Sequence, residues 1–88
     1  MQKQSDNAVI DRTIMALLAT LESGKSLDPT LVARQIAGPD EQKWRLVMKP
    51  IRARAIALAH DESLVILRKG KPADPDNFKG LYRLGPVE

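Results

Sequence analysis

The chain has 88 residues, a formal net charge of +3, 43% hydrophobic residues and no cysteine. So short a chain buries only about 60% of its unfolded surface and has no room for a catalytic cleft between two domains. The lack of cysteine excludes disulfides, thiolate nucleophiles and Cys-ligated zinc, and a single histidine excludes a His-rich metal site. No apolar run reaches the roughly 18 residues that a membrane span needs. Met1 to Asn7 lead into no continuous apolar stretch, so neither a signal peptide nor a membrane partner is expected and the expected location is cytoplasmic. The charge is unevenly divided. Through Gln42 four basic residues face six acidic ones, a balance of −2, whereas Lys43 to Arg83 carries ten bases against four acids, a balance of +6. Such a split suggests a scaffold half and a polyanion-facing half, although solvated bases also serve solubility alone.

In chain order, residues 1–5 are polar and expected to fray, and Asp6 is placed to cap a first helix running to about Leu21. Ile10, Ile14, Leu17, Leu18 and Leu21 recur at helical spacing and form its buried stripe. Gly24 ends the helix, and the short stretch to Leu27 leaves room for one or two extended residues. Asp28-Pro29 then reads as an N-cap followed by proline at the first helical position, where a missing N–H costs nothing. The second helix should cover Pro29 to about Ala37, with Leu31, Val32 and Ile36 facing inward, and stop at Gly38-Pro39.

Asp40 can cap a third helix, with Glu41 and Gln42 in its first turn. Trp44, Val47, Met48, Ile51, Ala55 and Leu58 share one apolar stripe, and Arg45, Lys49 and Arg52 line up beside it. Pro50 lies midway, so a kink near Leu46 to Lys49, or a break that splits the element, is expected. Leu64 to Lys69 is a β-branched run that suits a strand, Gly70 to Lys79 reads as a loop, and Gly80 to Leu84 as a second strand. The layout predicts one α+β domain over residues 1–88: a winged helix-turn-helix of three helices with a C-terminal β-hairpin wing.

The stretches Trp44-Arg45 through Pro50-Ile51-Arg52, and Lys69-Gly70-Lys71-Pro72-Ala73-Asp74-Pro75 through Lys79-Gly80, resemble a small bacterial winged-helix family of uncharacterised function. The resemblance covers roughly Ile10 to Leu84 and implies a fold more than an activity. No catalytic or ligand-binding residue is carried over from it. One departure is visible: after Gly80 the chain reads Leu81-Tyr82-Arg83, where the family pattern reads Pro-Ile-Arg.

Arg45, Lys49 and Arg52 are the candidates for phosphate or base-edge contacts, because a recognition helix presents three or four side chains along one flank; the alternative is a solvated basic face. Lys69, Lys71 and Lys79 frame the wing and can grip neighbouring phosphates, or simply protect a sheet edge from aggregation. Arg54, near the other edge of the stripe, is expected to ion-pair or to lie over the core. Trp44 reads as a core anchor rather than a stacking platform, Tyr82 likewise, and Phe78 as core or as a cap on the hairpin. Asp74, Asp76 and Asn77 lack the spacing and the bidentate Glu of a calcium loop, His60 suits a helix C-terminus, and Gly70-Lys71 is no phosphate-binding loop. The sequence therefore predicts a non-enzymatic protein without cofactor that binds duplex nucleic acid, DNA first, and that can gain specificity as a homodimer. The rival is a protein-interaction module whose basic surface meets an acidic protein patch.

Overall fold

The computed structural model describes residues 7–87, an α+β fold in which helices pack on a small antiparallel sheet. Asp6 and the expected frayed tail lie outside the described residues. Helix α1 spans Asn7–Ala19 and buries Ile10, Ile14 and Leu18. It stops two residues before the expected end, and Leu21 packs on the core from the turn that follows. Leu27 is the extended residue foreseen after Gly24: its N–H and C=O bond Leu84 at 2.7 and 2.9 Å.

Helix α2 spans Pro29–Ala37, with the Asp28 carboxylate accepting from the Thr30 N–H at 2.9 Å. Pro29, Val32 and Ala33 are buried and Ile36 and Ala37 pack beside them, an i, i+3, i+4 stripe. Leu31 falls off this stripe and is 52% exposed, which corrects its expected inward placement. Gly38 takes φ +90° as its N–H closes on the Arg34 carbonyl at 2.8 Å, a conformation that Pro39 cannot extend into helix.

The third helical unit is broken, as Pro50 led us to expect. Helix α3 covers Glu41–Trp44 behind an Asp40 cap, a 3₁₀ turn covers Arg45–Val47, and helix α4 covers Met48–His60. The break lies just before the proline, because in α4's first turn its missing N–H has no intrahelical partner to lose. Val47, Ile51 and Ala55 are buried and Trp44, Met48 and Leu58 are half-buried against them, so the predicted stripe holds across the break.

Strands β1 (Val65–Arg68), β2 (Lys71–Pro72) and β3 (Arg83–Gly85) form an antiparallel sheet in the order β2-β1-β3. Two corrections arise here. Lys71-Pro72 is a strand rather than loop, because Lys69 (φ +54°) and Gly70 (φ +81°) make a two-residue turn that pairs Arg68 with Lys71. Positive φ at both turn residues is what a type I′ hairpin requires. The last strand begins at Arg83 instead of Gly80: Phe78 is buried, and Leu81, at 89% exposure, bulges away from the sheet. Leu27, Leu64, Ile66, Phe78 and Leu84 complete the core beneath the helices.

Candidate nucleic-acid interface

The six predicted contact residues separate into two groups. Helix α4 turns Ile51 and Ala55 inward, and Arg52, three residues before Ala55, lies at the margin of that face. Its guanidinium therefore points into the fold, donating to the Phe78 carbonyl at 2.9 Å and lying 4.0 Å from the centre of the Phe78 ring. Tyr82 stands edge-on to Phe78 with ring centres 5.4 Å apart. Arg52 thus holds the segment before β3 against α4 and does not share an open flank with Arg45 and Lys49, which corrects the sequence reading. The reason is geometric: charge marked it as a surface residue, but its guanidinium lies over the Phe78 ring, 5.9 Å from the centre of the Tyr82 ring.

Arg45 sits exposed on the 3₁₀ turn and pairs one turn back with Glu41 at 3.2 Å. An exposed pair of this kind contributes at most about 1 kcal/mol and leaves the cation available to a stronger anion. Lys49, Lys69, Lys71 and Lys79 are all exposed. Among the described residues none of the four makes a hydrogen bond or an ion pair with a side chain. Lys69 is at the hairpin tip, Lys71 on β2 and Lys79 beside Gly80, where an added Cβ would meet the Arg68 guanidinium at 3.5 Å. The structure therefore gathers these three around β1 and leaves Arg45 and Lys49 on the broken helical unit.

Three further arginines are engaged by the fold. Arg54 makes the expected ion pair, a bidentate one with Asp11 at 2.8 and 2.9 Å that ties α4 to α1. The hydrogen bonds to Asp11 raise its already high pKa. Arg68 donates to the Leu81 carbonyl, and Arg83 reaches Ser26, at its hydroxyl and, at 2.9 Å, its carbonyl. Neither role was foreseen, and no local signal marks them, since Arg83 and Ser26 are 57 residues apart. Arg68, Lys69, Arg83, Ser26 and Tyr82 line a cleft of about 390 Å³ on the outer side of the sheet. A planar fork suits carbonyls and carboxylates in fixed positions, whereas an ammonium on a flexible stem stays hydrated.

His60, the last residue of α4, is bound to Asp76 at 2.8 Å, consistent with a position at a helix C-terminus. Asp74 accepts from the Asp76 N–H, a local turn. Among the described residues no group of three or more His, Cys, Asp or Glu is arranged to hold a metal, and no helix is long and apolar enough to cross a membrane. Trp44 is half-buried against the core, and Phe78 is buried within it. The Tyr82 hydroxyl is buried without a hydrogen-bond partner. Burial pushes its pKa up to about 12, against the opposing field of Arg52.

No curated protein matches the chain. The family model described as "Protein of unknown function (DUF3253)" matches residues 7–87, all the residues that carry the fold and the basic surface described above, and the chain belongs to that family.

Proposed function

We propose that this protein is a non-enzymatic winged helix-turn-helix that binds duplex DNA through its broken third helical unit and its β1–β2 hairpin. The observation that carries the reading is the set of exposed lysines without protein partners among the described residues: Lys49 on the third helical unit, Lys69 and Lys71 on the hairpin, and Lys79 in the segment that leads to β3. The connectivity supports it: Leu27, bridged to Leu84, precedes α2, and the third unit is followed by the hairpin and β3. Arg45 joins the set once DNA phosphate displaces exposed Glu41. Arg52 does not join it.

A second reading, an interaction module for an acidic protein surface, is favoured by the Arg45–Glu41 pair and the inward Arg52, which thin the basic flank of the helical unit. Fluorescence-anisotropy titration with duplex DNA at two salt concentrations separates the readings. Contacts from Arg45, Lys49, Lys69, Lys71 and Lys79 should give a slope of log affinity against log salt of about −4.5, with non-specific Kd of about 10⁻⁴ to 10⁻⁶ M. Reversing Lys69 and Lys71 to Glu should flatten that slope by about two units on all sequences alike. Absence of binding at low salt overturns the DNA reading.

A further inference from the structure

Leu46 is 76% exposed, although the amphipathic pattern around it buries Val47 and half-buries Trp44 and Met48. The 3₁₀ turn explains the placement: its tighter winding seats Val47 in the core and leaves Leu46 on the outside of the break. Its helical neighbours one turn away, Gln42 and Lys49, are exposed too, and so are Lys43, Arg45 and Ala53. The Gln42 backbone N–H is satisfied by the Asp40 carboxylate at 3.0 Å, while its side-chain amide makes no hydrogen bond among the described residues. One outward stripe thus offers an amide, an aliphatic group and cations, at the N-terminal end of the helical unit. That end is where helix-turn-helix proteins contact base edges.

We propose that Leu46 reads the C5-methyl group of thymine in the major groove, with Gln42 facing the adjacent adenine edge. This rests on the DNA-binding reading above and deepens it, because lysines that neutralise phosphate carry no sequence information. In the major groove thymine alone presents a methyl, and adenine presents a donor–acceptor pair that an amide matches in two bonds. The surrounding charge argues against a second copy of this chain as the occupant, since a self-paired face would bring Lys43 and Lys49 of one copy towards those of the other. It suits a polyanion whose groove floor is partly apolar.

The test uses the full chain and two duplexes of one alternating A·T sequence, the second with uracil in place of every thymine, at the same low salt. The wild-type protein should bind the thymine duplex about three- to fourfold more tightly, the effect of covering one methyl. Leu46→Ala should bind both duplexes alike, with the wild-type affinity for the uracil duplex. Its melting temperature should be close to the parent's, because Leu46 already stands in water. Measurable binding with equal affinity for thymine and uracil overturns the inference and leaves the DNA reading standing. No binding to either duplex overturns both. Equal affinities together with a dimer in sedimentation that Leu46→Ala dissolves would show that Leu46 meets a second copy, and would likewise overturn it.

Discussion

At the seam between α4 and the segment before β3, a positive charge is turned inward: Arg52 donates to Phe78 and covers its ring, with Tyr82 edge-on behind it. At the β1–β2 hairpin the opposite holds, and Lys69 and Lys71 stand in water around a turn whose first residue carries φ +54°. Both regions carry basic residues in sequence, yet one uses its charge to hold the fold and the other leaves it available. A left-handed conformation is unfavourable for a residue with a Cβ, and Asn would fit the turn better than Lys.

Truncation at the seam should have the largest effect. Phe78→Ala should lower stability by about 3–5 kcal/mol in urea unfolding, since a buried ring is removed from a small core. Arg52→Met, which keeps the apolar stem, should cost about 2–4 kcal/mol through the lost carbonyl bond and ring contact, and should leave the salt dependence of DNA binding unchanged. A flatter salt slope in Arg52→Met would move Arg52 into the other region and break the comparison.

The hairpin should respond in the reverse sense. Lys69→Asn should raise stability by about 1 kcal/mol by relieving the turn, while flattening the salt slope by about one unit. Stability and binding moving in opposite directions is the signature sought. A fall in melting temperature with binding intact would make Lys69 a structural residue.

The smallest effect concerns Tyr82, the chain's single tyrosine, whose ionisation can be followed directly by ultraviolet absorbance. Its midpoint in the folded protein should lie well above the usual value of 10.0, at about 12. An unfolded chain gives up this proton first, so between those two pH values the folded state binds more protons and stability falls as pH rises. Below pH 10.0 the group contributes no pH dependence. Tyr82→Phe should remove the alkaline loss and, because the hydroxyl lacks a partner, cost nothing at neutral pH. An ordinary midpoint would mean that the seam admits water.

The amino-acid sequence alone was enough to determine what depends on near neighbours. Asp28 before Pro29 and Asp40 before Glu41 start helices by bonding N–H groups two residues on, and Pro50 splits the third unit through its own missing donor. The 3.6-residue spacing likewise selected Ile10, Ile14, Val47, Ile51 and Ala55 for the core. Only the tertiary structure decided which cations stay in solvent. Arg52 meets Phe78 across 26 residues, Arg54 meets Asp11 across 43, and Arg83 meets Ser26 across 57. The strand at Lys71-Pro72 belongs to the same class, since it needs β1 as its partner. Helix caps act over one turn of chain, but the direction a long charged side chain takes is set by what the fold brings beside it, and no local spacing encodes that.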